Sequence, residues 1–425
     1  MNVDDEVLYN TSREFFLPLQ GEEKYRTEGF KEIVLIYGTT EESFRKTAAL
    51  INRVRHQAKG GTPSRTIRDH AEHEGSKIQA HLEQKTRTIL HENGCTEAGE
   101  SQKVIRGTFC QNVTIEEEER LKDIVRKFDL EDQFKSAILK NPVPYEDTKE
   151  AVNISIDEVG AKQQKDNREK KPQDPPSEPK RKYIQNTVIH IEKEGASYIL
   201  NGYGVLCVLR ILLAFLLYNH LLENTLMFFV DGHSLYSAVI QFFSGHKNII
   251  VILDWYHLRK RCQELLSMAL KGRAIRNTVL EKLMPLLWHG LVDEAIKYMH
   301  SLPETQIKNP EEIGHLISYL TRNRPMIPAY AVRRELGLRN SSNRGEKSND
   351  LIVAERQKHN GMSWSKCGSV ALASVTALKK NKEYKKWFQE GELEFKLNWL
   401  QVFCSVDAAH LGSDRRPQHQ TRAGR

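Results

Sequence analysis

Four carboxylates stand out by their position in the chain. Asp157 closes the run Asn153-Ile154-Ser155-Ile156, and Asp231 follows Leu226-Met227-Phe228-Phe229-Val230. Asp254 follows Ile249-Ile250-Val251-Ile252-Leu253, and Glu346 opens an amphipathic stretch behind the turn-like Asn340-Ser341-Ser342-Asn343-Arg344-Gly345. Short apolar runs bounded by turn residues read as strands, and open α/β sheets gather ligands at the carboxyl ends of their strands. Carboxylates converging there would hold two hard divalent ions, Mg²⁺ or Mn²⁺, through oxygen. Such a pair supports phosphodiester cleavage and transfer, one ion acting on the attacking water or 3′-hydroxyl and the other on the leaving oxygen. Each residue also has a plainer reading. A strand-end aspartate commonly forms a turn, and a glutamate at a helix N-terminus is stabilised by the macrodipole. On the residues alone, Asp231 and Asp254 both remain candidates for the second acid.

The elements around these acids follow a mixed α/β order. Strands at 153–157, 187–191 and 197–200 are followed by an apolar helix at 203–222, a strand ending at Val230, a helix at 233–243 and a strand ending at Leu253. The parallel part of such a sheet needs helices on both faces. Between the first two strands, residues 162–182 carry eight Lys/Arg against four Asp/Glu, with Pro172, Pro175, Pro176 and Pro179, the composition of a flexible loop. From about 256 to 340 the pattern is helical throughout, with helices near 256–271, 277–289, 291–301, 310–323 and 329–336, an insertion ahead of Glu346. Further helices are expected at 346–360 and 369–380. At about 100° per residue, Glu346 and Glu355 fall half a turn apart, so only one of them faces the site. Glu346 shares its side with Asn349, Asp350 and Val353, whereas Glu355 has Arg356, Lys358 and His359 nearby.

The front of the chain reads as all-helical. Apolar residues at Phe44, Ala48, Ile51 and Val54 recur at helical spacing, and Gly60-Gly61 ends that helix. Two more helices follow, Ser64 to His73 and Lys77 to Asn93, with Gly75 as the turn between them. This pattern fits a helix-turn-helix or any small helical bundle. Arg65 and Arg68, at the start of the second helix, are the expected contacts to DNA. Arg259, Lys260, Arg261, Arg273, Arg276, Arg344 and Lys358 are further candidates for phosphate contacts, alongside Arg333, Arg334 and Arg339, and a solvated basic face is the plain alternative. Trp288, flanked by Leu286, Leu287 and Leu291, reads as a core residue more readily than as a base-stacking one.

Bulk properties agree with an ordinary soluble chain. The 425 residues carry 63 Lys/Arg against 56 Asp/Glu, a net charge of +7 that suits a polyanionic partner without requiring one. Six cysteines occur singly without a CxxC pair, which argues against a zinc knuckle or a disulfide framework and suits a reducing cytoplasm. Asp4, Asp5 and Glu6 near the start leave no room for a signal peptide. Val205 to Tyr218 is apolar but shorter than the roughly 20 residues a bilayer span needs, so a buried helix is expected.

The run Ser341-Ser342-Asn343-Arg344-Gly345-Glu346-Lys347-Ser348-Asn349-Asp350, continuing through Leu351-Ile352-Val353-Ala354-Glu355-Arg356-Gln357-Lys358-His359-Asn360-Gly361-Met362-Ser363-Trp364-Ser365, is similar to the third-acid region of bacterial insertion-sequence transposases. So are Ser155-Ile156-Asp157-Glu158-Val159-Gly160, Phe229-Val230-Asp231-Gly232, Leu253-Asp254-Trp255-Tyr256-His257-Leu258, and Tyr37-Gly38-Thr39-Thr40-Glu41-Glu42-Ser43-Phe44 near the front. Together, over about residues 30–398, these resemble the ISLre-type transposase family. The resemblance implies a ribonuclease H-like mixed sheet with helices on both faces, a helical insertion, and an N-terminal all-α region that recognises the element's ends. It implies a DDE active site of Asp157, Asp231 and Glu346 holding two Mg²⁺ or Mn²⁺ ions, with Asp254 the alternative second acid. It also implies double-stranded DNA as partner and substrate, a homo-oligomer on DNA, and a place in the bacterial cytoplasm with the nucleoid. The expected division is 1–100 DNA-binding, 101–150 connecting, 151–276 and 341–398 catalytic, 277–340 inserted, and 399–425 a tail without periodicity. A catalytically inactive DNA-binding derivative and a host nuclease on the same core are the competing expectations.

Overall fold

The computed structural model describes residues 28–36, 38, 43–54, 56, 61–96, 115–147, 150–164, 182–246, 248–341, 348, 350–358 and 363–397. Glu346, Arg344, Asn349 and His359 lie outside these residues, as do most of the 162–182 loop and the tail from 399.

At the centre is a five-stranded mixed sheet of β1 (Ala151–Lys162), β2 (Tyr183–Lys193), β3 (Ala196–Tyr203), β4 (Thr225–Val230) and β5 (Ile249–Leu253), in the order β3-β2-β1-β4-β5. β1, β2 and β3 pair antiparallel, whereas β4 runs parallel to both β1 and β5. A two-residue turn joins β2 to β3, with Glu194 and Gly195 both at positive φ (49° and 89°), the backbone a tight hairpin with right-handed twist requires. β4 is buried along its whole length, as its unbroken run of apolar residues demands.

β1 departs from expectation. It continues to Lys162, so Asp157 lies in mid-strand and not at the strand's end. Pairing with β4 stops at Ser155↔Phe229, but pairing with β2 carries on through Asp157↔Val188 to Lys162↔Tyr183. The backbone ladder supplied by β2 outweighs the polar composition of Asp157-Glu158-Val159-Gly160, which reads as a strand end when neighbours are unknown.

The helices in chain order begin with α1 (Glu28–Ile36), α2 (Phe44–Val54) and α3 (Ser64–Glu92). The expected helix-turn-helix at 64–93 is one helix of 29 residues. Gly75 is no turn: its hydrogen permits contact with the backbone of Ala371, which any Cβ would overlap. Ala71, Ile78, Leu82, Ile89 and Leu90 of α3 join the same hydrophobic core as Ile154, Ile156 and Ile189 of the sheet. After α4 (Ile115–Arg126) and α5 (Asp132–Leu139), α6 (Val205–Tyr218) is the buried apolar helix expected. No helix among the described residues is long and apolar enough to cross a membrane.

α7 (His233–Phe242) leads into β5, and the helical block follows as α8 (Trp255–Ala269), α9 (Arg273–Trp288), α10 (Val292–His300), α11 (Pro310–Asn323) and α12 (Tyr330–Glu335). These bounds lie close to the periodicity-based ones, because amphipathic spacing and end signals coincide: Asn309 caps α11 with proline in its first turn. The helix expected from 346 to 360 is different. Its described part is a π-helical turn at Asp350–Ala354, continued by an α-helical turn at Glu355–Gln357. α13 (Lys366–Lys380), largely buried, packs against α3, β3 and β2, and α14 (Tyr384–Glu390) closes the chain's described helices.

Candidate active site

The strand register brings three aspartates level. Two residues past the Ser155↔Phe229 pair stand Asp157 and Asp231, and one residue past Val230↔Leu253 stand Asp231 and Asp254. The Asp254 N–H donates to the Val230 carbonyl at 3.0 Å, so the ladder extends to this row. Asp157 shares its side of the sheet with Val159 and, across the strand pair, Val188, by the alternation of side chains along a strand. One Asp157 carboxylate oxygen accepts from the Glu158 N–H at 2.8 Å.

The acids at this row influence one another's charge. Asp231 reaches solvent, yet the protein around it strips enough hydration to raise its pKa above the usual value, and the charge of Asp157 raises it further. His257 opposes that shift, and Asp254 adds to it. Glu158 is also raised, first by lost hydration and then by Asp231 and Asp157. Asp254 has another occupation. It is 1% exposed, and one of its oxygens accepts from the N–H groups of Tyr256 (2.7 Å) and His257 (3.3 Å) as the N-cap of α8.

The segment leading on from Glu346 lies against the Asp157 side of the sheet. Ile352 and Val353 pack with Val159 and Val188. Gln357 anchors its far end: Asn186 donates to the Ser369 hydroxyl (2.9 Å), that hydroxyl to the Gln357 side-chain carbonyl (2.5 Å), and the Gln357 amide back to the Ser369 carbonyl (2.9 Å). All three residues are essentially inaccessible, so each bond is protected from competition by water. Asn186 pairs with Val159, two residues from Asp157. Glu355 is exposed and Arg356 is buried, its guanidinium 4.6 Å from the Phe44 ring centre. The π turn widens the helix, so the half-turn separation of Glu346 and Glu355 counted at 3.6 residues per turn does not carry across it.

Of the basic candidates, Arg65 is exposed and Arg68 half-buried, each in surface ion pairs, with Asp69 3.6 and 2.7 Å away respectively and Glu72 3.9 Å from Arg68. Arg261 pairs with Glu264 at 3.5 Å. Arg259, Lys260, Arg273 and Lys358 are exposed, and Arg276 is half-buried with a bond to Ser267. Arg333 is no phosphate contact: it is fully buried in a two-pronged ion pair with Glu146 (2.6 and 2.7 Å). Arg339 pairs likewise with Glu192 (2.8 and 2.5 Å). Trp288 stacks on Tyr330 (5.9 Å, 16°) and meets Trp255 edge-on (4.8 Å), while the Tyr330 hydroxyl donates to the Leu253 carbonyl at 2.7 Å. It is a packing residue beneath the end of β5, as its leucine neighbours suggest.

Glu158 and His257 belong to the electrostatic surroundings of the acids; His257, which a two-metal site does not need as a base, reads from the sequence as a DNA-contacting or structural residue, and Glu158 stands out by no sequence signal. Strand alternation places Glu158 on the opposite side of β1 from Asp157, yet both Asp157 and Asp231 act on its charge. Among the described residues no three His, Cys, Asp or Glu side chains are grouped to hold a metal. The described part of the expected triad is the Asp157–Asp231 pair.

No protein-family model and no curated protein matches the chain. The Drosophila P element transposase strand transfer complex aligns with 93% of this chain and 89% of its own at 11% identity and a TM-score of 0.24, a level that establishes no common fold.

Proposed function

We propose that the chain is a DNA-cleaving and DNA-joining enzyme of the DDE transposase class, of ISLre type, with Asp157, Asp231 and Glu346 as its acids. The observation that carries this reading is the register that sets Asp157 beside Asp231 on neighbouring parallel strands, where the two carboxylates repel one another. The strand order β3-β2-β1-β4-β5 with an antiparallel hairpin on one side supports a ribonuclease H-like core. Hard oxygen donors crowded in this way fit divalent cations, whose charge would relieve the repulsion. Asp157, Asp231 and Glu346 would hold them, with Mg²⁺ or Mn²⁺ the matching ions. Bound there, the ions would supply activation of a water or 3′-hydroxyl and stabilisation of the leaving oxygen.

The protein's own part is positioning. Pairing with β2 at Asp157↔Val188 fixes Asp157, Asp231 follows directly on buried β4, and the Asn186–Ser369–Gln357 bonds hold the end of the glutamate's segment on the same face. Asp254, committed to capping α8, serves this site as a support, which favours Asp231 as second acid. Double-stranded DNA is the proposed substrate and partner, bound by a homo-oligomer of the chain.

The test uses the full chain, a duplex from the DNA flanking its coding region, and Mg²⁺. Asp157→Asn, Asp231→Asn and Glu346→Gln should each lose cleavage by at least a hundredfold while still retaining the duplex, and Glu355→Gln should cleave within a few-fold of the parent. Mn²⁺ binding followed by calorimetry should weaken in the first three variants. Normal cleavage by Asp157→Asn or Asp231→Asn would defeat the reading, and an inactive Glu355→Gln beside an active Glu346→Gln would move the third acid.

A further inference from the structure

The basic residues following the acid row are arranged by helix phase. At about 100° per residue, Tyr256, Arg259, Lys260, Gln263 and Ser267 fall on one side of α8, and all five are exposed. The opposite side, with Leu258, Cys262, Leu265, Leu266 and Ala269, is buried. Arg261 and Glu264 pair with each other beside the stripe, and no acid interrupts it.

Arg259, Lys260 and Arg273 have no acidic partner among the described residues. At its far end the stripe meets the start of α9, where Arg276 donates to the Ser267 hydroxyl at 3.0 Å. Gln263, Ser267, Gly272, Arg273 and Arg276 line an open recess of about 430 Å³ there. At its near end α8 begins from Asp254, level with Asp231. An α-helix of 15 residues is about 22 Å long, close to six nucleotide steps of 3.4 Å.

Resting on the reading above, we infer that this stripe seats the substrate duplex as it leaves the acid row. Arg259 and Lys260 take phosphates near the site, and Arg273 and Arg276 take phosphates at the recess roughly two helix-turn lengths or more beyond. Tyr256, 49% exposed beside the acids, packs on the sugar nearest the cleaved position. Charge decides the occupant. A protein partner would need an apolar centre at its interface, whereas the stripe is polar, and its unpaired cations match a phosphodiester backbone.

The experiment measures binding of a 30-base-pair duplex to the full chain in chelator, without cleavage, as salt is varied. Arg259→Ala/Lys260→Ala and Arg273→Ala/Arg276→Ala should each flatten the log–log salt dependence by about two units, one for each lost phosphate contact. Lys282→Ala, exposed on another side of α9, should leave the slope unchanged. Thermal melting of each variant checks that α8 and α9 stay folded. Unaltered slopes in both double variants overturn the inference, even where Asp157→Asn abolishes cleavage and so upholds the active site. Flattened slopes in a chain that never cleaves with Mg²⁺ support the track and defeat the catalytic reading instead. A chain that binds no DNA duplex, or binds only RNA, overturns the track.

Discussion

Gly75, midway along α3, rests directly on the backbone of Ala371 in α13, so close that a methyl group on Gly75 would overlap the Ala371 carbonyl. Gly314 also lies mid-helix, in α11, but has open space around it. The same substitution should therefore act in opposite directions. Gly75→Ala forces two core helices apart and should cost about 1–3 kcal/mol or more. Gly314→Ala removes backbone freedom from the unfolded chain and should stabilise by roughly 0.5–1 kcal/mol. Urea unfolding of both variants decides the matter, and a tolerated Gly75→Ala would contradict the close packing.

The two strand-end aspartates should separate by the kind of loss each causes. Asp254→Ala removes the cap from α8 and should cost about 1–2 kcal/mol. Asp254→Asn keeps an acceptor for the Tyr256 and His257 N–H groups and should restore stability and cleavage together. Asp231→Asn should behave in the reverse manner: cleavage goes, whereas stability near neutral pH rises slightly because a neutral amide loses less hydration there than a carboxylate and repulsion from Asp157 is relieved. A cleaving Asp231→Asn alongside a stable, inactive Asp254→Asn would exchange their roles.

Glu383 sets a pH dependence. It is 2% exposed, accepts from the Tyr198 hydroxyl (3.0 Å) and the Phe395 N–H (2.8 Å), and burial pushes its carboxyl up from 4.5 to about 7. A carboxyl raised in the folded state favours folding when protonated. Its contribution is thus complete below about pH 4.5 and is lost as pH climbs towards 7, a span worth on the order of 3 kcal/mol. Glu383→Gln stays neutral and keeps an acceptor, so the variant should gain on the parent between pH 5 and pH 8. Parallel unfolding curves at the two pH values would refute it.

Arg333 and Glu146 form a buried ion pair whose halves need each other. Arg333→Met or Glu146→Leu alone should cost about 3–5 kcal/mol, since one charge is left without its partner. The double variant Arg333→Met/Glu146→Leu should recover most of that loss, and strictly additive losses in a double-mutant cycle would show the pair is uncoupled.

What was legible in the sequence depended on whether one residue type has one physical use. β4 and β5 announce themselves because only buried strands tolerate such apolar runs, and α8 to α12 because amphipathic spacing agrees with their end signals. Gly75 reads as a turn because a glycine required for helix contact looks the same in sequence as one required for a turn. The second half of β1 was hidden because its partner strand, not its composition, keeps it extended. Asp231 and Asp254 share a sequence context, and only hydrogen bonding separates a cap from a carboxylate facing its neighbours. The π turn at 350–354 leaves no mark on a periodicity counted at 3.6 residues.

The packing of α3 also sets a timetable for synthesis. Gln79 bonds to Ser374, 295 residues later, and the Trp387 ring N–H donates to Glu74 across 313 residues. At about 5–20 residues per second, a ribosome needs roughly 15–60 s to supply the second partner after the first. Throughout that interval the apolar side of α3 has no α13 to cover it. Until then α3 can pack only on α1, α2 and α6, so this part of the core is completed last.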